Sequence, residues 1–192
     1  MVLLFTQFGH AQQYNFKNYS VKNGIAQSQV YSIIQDSRGY MWMGTYGGGI
    51  NSFDGWNFNT LTQRDGLGSN YVYDIKEDSE KNIWIATKAG ISKYNGQTFT
   101  NFSNGNRVRK IAFDAKGQLF LASDRGIAKF NNGNFINLLD GIELKDKNVR
   151  TLSVKDEDHI FFGTAKGFYQ LIRKNGKYEL INYGDKHPVM TN

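Results

Sequence analysis

Any chemistry in this 192-residue chain must come from carboxylates, three histidines, hydroxyls, or amide, aromatic and basic side chains, because the sequence contains no cysteine. Without cysteine there is no thiolate metal site, no sulfur nucleophile and no disulfide framework. Asp36, Asp78, Asp114 and the run KDEDH at 155–159 offer oxygens of the kind that bind calcium. A calcium loop needs several such oxygens at alternate positions around one turn. Only Asp156 and Asp158 approach that spacing, so the aspartates are read as turn caps. His10, His159 and His187 have no metal-ligand spacing, and no G-x-S-x-G, P-loop or other catalytic signature is present. The expectation is a chain with no catalytic residue, no metal and no cofactor.

A second set of residues suits a bound sugar. Ser28, Gln29, Asn70, Tyr71 and Arg107 precede apolar runs, and Tyr46, Lys88, Arg125 and Lys166 follow Thr45, Thr87, Ser123 and Thr164. Sugar rings have apolar C–H faces that stack on tyrosine, and hydroxyls that bond to Asn, Gln and Arg. Ordinary solvated loops carry the same residue types. These nine form a site only if the fold gathers them on one face.

The elements that would gather them repeat. YMWMGT (40–45), NIWIAT (82–87), QLFLAS (118–123) and HIFFGT (159–164) align on Trp42, Trp84, Phe120 and Phe161, at intervals of 42, 36 and 41 residues. Upstream of each stands a β-rich run: VYSIIQD, VYDIKED, VRKIAFD and VRTLSVKD. Downstream come Gly-Ile or Gly-Phe (Gly49, Gly90, Gly126, Gly167) and then an aromatic (Phe58, Phe99, Phe135, Tyr178). The runs alternate or are continuously apolar over four to seven residues, and none sustains a helical period. Asp36 and Asp78 cap hairpin turns in which Gly39 and Asn82 are expected to take positive φ. Four strands in about 40 residues, repeated, is the pattern of a β-propeller blade. The Trp or Phe is the buried anchor of each blade, and Gly47-Gly48-Gly49 makes a loop between second and third strands one residue longer than its later counterparts.

Before the first full repeat, FKNYSVKNGIAQSQV (16–30) matches FNTLTQRDGLGSNYV (58–72). Phe16–Tyr19 therefore reads as a fourth strand without its first three, a leading latch strand. The fold class is all-β: about four four-stranded blades, with that latch, of a larger and expectedly seven-bladed ring. Closure of four blades on their own is the alternative.

At NGIAQSQVYSIIQDSRGYMWMGTYGGGI (23–50) and DGLGSNYVYDIKEDSEKNIWIATKAGI (65–91) the chain resembles the two-component regulator propeller repeat. The third and fourth copies are weaker, with Phe in place of Trp. The resemblance implies the periplasmic sensor region of a membrane-anchored hybrid histidine kinase, which senses oligosaccharides and signals to transcription. It implies an oligosaccharide ligand and, as a further partner, the rest of the ring or another protomer. It implies membrane contact only through segments beyond this sequence. On that reading Tyr71 stacks on the ligand and Arg107 donates to it. A protein–protein scaffold and a propeller enzyme resembling the streptogramin lyases are the other readings; the scattered histidines count against the second.

The net charge of +6 favours acidic partners, although lysines and arginines spread over turns give the same total. The basic runs NRVRK (106–110) and KDKNVR (145–150) flank first strands, where a propeller has its central channel. No nucleic-acid role is expected, since that needs a contiguous basic face with stacking aromatics and sits badly with export. Export is inferred from residues 1–11, where VLLFTQF followed by Gly9 and Ala11 reads as a truncated signal peptide; a first β-strand is the alternative. Residues 12–184 carry the repeats, and 185–192 are a tail or the start of another blade.

Overall fold

The computed structural model describes residues 16–103 and 105–184. The signal-like segment 1–11 and the tail 185–192 lie outside the described residues. Four meanders follow one another. The first contains β1 (Val30–Gln35), β2 (Met41–Thr45), β3 (Ile50–Phe53) and β4 (Phe58–Leu61). The second contains β5 (Val72–Glu77), β6 (Ile83–Thr87), β7 (Gly90–Tyr94) and β8 (Phe99–Phe102). The third contains β9 (Val108–Phe113), β10 (Leu119–Ser123), β11 (Gly126–Asn131) and β12 (Asn134–Asn137). The fourth contains β13 (Thr151–Asp156), β14 (His159–Thr164), β15 (Gly167–Lys174) and β16 (Lys177–Asn182). Each is a separate four-stranded antiparallel sheet with its strands in chain order.

Local chemistry sets the turns. Asp36 Oδ1 accepts the N–H groups of Arg38 and Tyr40, and Asp78 and Asp114 repeat the pattern in the next two blades. The left-handed residue of each turn is Gly39, Lys81 and Gly117. Asn82 does not take positive φ: the carboxylate binds the N–H four residues on, which places the left-handed residue third after the aspartate. In the loop between second and third strands, Gly90 (φ 116°) lies so close to the outer strand that a Cβ would come within 2.3 Å of the Phe102 carbonyl oxygen. Only glycine fits there.

The blades stack face to face. Between the first and second lie Trp42, Ile50, Leu67, Val72, Ile75, Ile83 and Ile85. Trp84, Ala86, Ile91, Val108, Ile111, Leu119 and Leu121 fill the next interface. Phe120, Ala122, Ile127, Ile160, Phe162 and Leu171 anchor the third. Trp42, Trp84 and Phe120 thus occupy equivalent sites, each packed on the blade that follows. The innermost strands line up as β1, β5, β9, β13, and no packing of that scale joins β13 to β1 among the described residues. Four blades with three interfaces form an open arc.

Two features follow from the open ends. Phe161, expected to be buried like Trp84, is only half-buried and stacks on Phe168, because no described blade packs against the fourth. At the other end Ile33 is 57% exposed while its repeat equivalent Ile75 is fully buried against the first blade. The leading segment, expected as a latch strand, forms no strand over residues 16–20, and Phe16 is 91% exposed. A β-strand needs a partner ladder, and the sheet this segment would complete is not among the described residues.

Candidate ligand-binding face

The loops leading into first strands and those joining second to third strands share one face. Tyr46, after β2, forms an isolated antiparallel bridge with Tyr71, before β5. Within blades, the N–H groups of Tyr46, Lys88 and Asp124 donate to the carbonyls of Gln29, Tyr71 and Arg107. Between blades, Gly47 and Gly49 both donate to Asn70 O. This face is stitched together from backbone, so its side chains stand on a fixed frame.

The structure brings together some of the nine residues named from the sequence. The Tyr46 and Tyr71 rings meet edge to face at 4.9 Å, and Lys88 Nζ lies 5.0 Å from the Tyr71 centroid. Tyr46 and Arg107 line one cavity of about 450 Å³. Arg107 is partly occupied: it pairs with Asp124 at 3.0 Å and sits 5.8 Å over the Tyr73 ring. Hydrogen bonds to Asp124 and then to Tyr73 hold its guanidinium charged, with its pKa above the ordinary arginine value. Asn70 Oδ1 accepts the Gln63 N–H, while Ser28 is exposed and bonded to Gln27. Gln29 is exposed, with its carbonyl in the frame. Arg125 lies in a separate recess with Phe135 and Asn137, and Lys166 in another with Glu143 and Tyr169.

The cavity also holds Tyr31 and Tyr73, which were not singled out from the sequence, and Arg109, Lys110 and Arg150 from the two basic runs that flank first strands. Tyr31, Tyr73, Arg109 and Arg150 occupy one repeat position, the residue after Val30, Val72, Val108 and Val149. The register of the first and second strands skips Tyr31, Tyr73 and Arg109, so each is the extra residue of a β-bulge. A bulge re-aims its side chain, and here three successive blades aim theirs into the cavity. The signal was present in the sequence as V-Y, V-Y, V-R, V-R, but a bulge breaks the strand alternation that would have shown it. Tyr31 packs 5.3 Å from Tyr46 and 6.0 Å from Tyr73.

Among the described residues no three His, Asp or Glu side chains cluster as a metal site. His159 lies in β14 beside the hairpin at the far end of the fourth blade's first strand, its Nδ1 2.8 Å from Asp156 Oδ1. No helix among the described residues is long and apolar enough to cross a membrane.

The family model for the two-component regulator propeller matches residues 24–47 and 66–89, the two segments that run from the loop before a first strand through the Trp and the Thr. Two of this chain's four repeats match the two-component regulator propeller. In both matched repeats the Trp is the interface anchor and the small residue two positions on is Gly44 or Ala86. The match thus rests on packing positions. The repeats have the fold of the extracellular domain of a hybrid two component system from B. thetaiotaomicron: TM-score 0.75 and 23% identity, over 86% of this chain and 26% of that one. A second such domain from the same organism gives a TM-score of 0.67 at 19% identity, over 83% and 24%. Virginiamycin B lyase from Staphylococcus aureus gives 0.66 at 14% identity, over 92% and 60%. The chain spans about a quarter of the length of the two extracellular domains. A sequence search of curated proteins finds no match.

Proposed function

We propose that this chain is part of the periplasmic, ligand-sensing region of a two-component regulator of the hybrid histidine kinase type, that it performs no catalysis itself, and that its ligand is an oligosaccharide whose binding is signalled to transcription. The observation that carries the reading is the stitched face. Loops of neighbouring blades hold Tyr46 and Arg107 at a recess, with Tyr71 bridged to Tyr46 and edge to face against its ring, and rigid aromatic platforms with flanking donors suit a sugar ring. Convergence of loops from several blades lets one ligand touch several blades at once, the arrangement a sensor needs to report occupancy. The likeness to extracellular domains of two-component systems supports export and sensing.

The test is calorimetry of the purified chain against a set of oligosaccharides, repeated with the Tyr46→Ala/Tyr71→Ala double variant. Binding by the parent and loss in the variant, with the thermal transition retained, is the expected result. Turnover of any sugar, or affinity unchanged by the double substitution, would overturn the reading.

A further inference from the structure

The charge in the channel cavity goes further than a general sugar site, and the following rests on the sugar-sensing reading. Four cations line the recess: Arg107, Arg109, Lys110 and Arg150. Asp124 is shared between Arg107 and Arg109, at 3.0 and 3.2 Å. Asp74 lies 3.3 Å from Lys110 and is itself buried, accepting from Ser32 Oγ and the Ile111 N–H. Arg150 has no ion pair or side-chain hydrogen bond among the described residues, and its side chain is exposed. Two carboxylates against four cations leave two positive charges unanswered in a recess with partly apolar walls. Such a field concentrates anions and repels cations. Beside it Tyr31 and Tyr46 remain 49% and 39% exposed, offering open ring faces that a bare inorganic anion would not use.

We propose that the cavity takes an anionic saccharide, with its carboxylate or sulfate held by Arg150 and the Arg109–Lys110 pair and its ring laid on Tyr31 and Tyr46. Guanidinium groups bind carboxylate and sulfate through paired N–H donors, which gives direction as well as charge. Aromatics beside cations also suit single-stranded nucleic acid. That ligand is disfavoured by the geometry: the recess is lined by the starts of the first strands of adjoining blades together with Tyr46, whereas a polymer needs a groove that follows its backbone.

The test uses the 192-residue chain and matched pairs: galactobiose against digalacturonate, and N-acetyllactosamine against its 6-sulfated form, with a ten-residue oligothymidylate alongside. The acidic member of a pair is expected to bind at least tenfold more tightly than the neutral one, and to weaken as salt rises. Arg150→Gln removes a side chain that has no ion pair or side-chain hydrogen bond among the described residues. It should lower acidic-sugar affinity at least tenfold, leave neutral-sugar affinity alone and leave the melting temperature unchanged. Neutral sugars binding as well as acidic ones, or an unaffected Arg150→Gln variant, would overturn this proposal while the sugar-sensing reading stands. No sugar binding at all would overturn both. Tighter binding of the oligothymidylate than of any sugar would replace the saccharide with nucleic acid.

Discussion

Asp78 ties the turn of its hairpin to the anchor of its blade: Oδ1 accepts the Asn82 N–H at 2.8 Å, and Oδ2 accepts the Trp84 indole N–H at 2.7 Å. Asp36 does the same with Tyr40 and Trp42. Asp114 keeps the turn half, but its blade has Phe120, which has no N–H to give. In the first two blades, then, one carboxylate fixes both the backbone reversal and the rotamer of the residue that fills the next interface. Asp78→Ala should cost about 2–3 kcal/mol, since it strips the turn and leaves an indole N–H unsatisfied. Trp84→Ala, which empties the interface with the third blade, should cost about 3–5 kcal/mol. Urea unfolding of each variant checks the order; an Asp78→Ala change within error of the parent would show that the indole bond is dispensable.

The same carboxylates set an acid limit. Burial acts to raise the pKa of Asp36 and Asp78, but the indole bonds, then Arg38 or Asn82, then backbone N–H groups outweigh it and hold both below the ordinary 3.8. The unfolded chain binds protons first, so this stabilisation is complete above pH 3.8 and is lost as pH falls from there through the folded pKa values. Stability should be level from neutral pH to about 5 and drop below about 4. The Asp36→Asn/Asp78→Asn double variant should show a shallower acid drop. A steep loss between pH 5 and 7 in the parent would assign the limit to another group.

Lys81 is one of three described non-glycine residues with positive φ, at 66°, in the turn position where the neighbouring blades have Gly39 and Gly117. A side chain there costs about 1–2 kcal/mol, partly offset by the extra freedom that glycine has in the unfolded chain. Lys81→Gly should therefore stabilise by up to about 1 kcal/mol, seen as a rise in melting temperature. A fall would mean that the lysine side chain contributes more than its strain costs.

Gly44 faces Val72 across the first interface so closely that a Cβ would lie 2.5 Å from Val72 Cγ1. Val72 is β-branched and fully buried, so it cannot rotate away easily. Gly44→Ala should destabilise by about 1–3 kcal/mol, and Gly44→Ala with Val72→Ala should recover part of that loss. A double-mutant cycle measures the coupling, and additive effects would place the strain elsewhere.

Ile33, which is exposed, and Phe161, which is half-buried, are the uncovered halves of interfaces that exist inside the arc as Ile75 against Trp42 and Ile111 against Trp84. The isolated chain should associate with rising concentration, as expected from open apolar faces of this kind. Ile33→Asp should shift light scattering toward monomer without lowering the melting temperature. A parent that stays monomeric at high concentration would show that something outside residues 16–184 covers these faces.

The sequence by itself determined the blade. Strand runs, Asp-capped turns, the Trp or Phe anchor and the Thr or Ser at the end of each second strand are local features. They recur about every 40 residues, so their positions could be read: the strands and the Thr or Ser hold in all four sheets, and the Asp-capped turn and the buried anchor in the first three. Burial of Phe161 and strand formation at Phe16–Tyr19 could not be read that way, because both depend on a neighbour rather than on the segment itself. The site lies between these cases. Tyr46, Tyr71 and Lys88 were named by position, and the structure sets them side by side through the Tyr46–Tyr71 bridge. Arg125 and Lys166 occupy the same kind of loop yet fall in separate recesses, each beside the outer strand of its own blade, with Phe135 and Asn137 or with Leu180 and Asn182. Only the tertiary structure revealed Tyr31, Tyr73 and Arg109 as one ring, since a bulge aims side chains by backbone geometry that strand periodicity does not record.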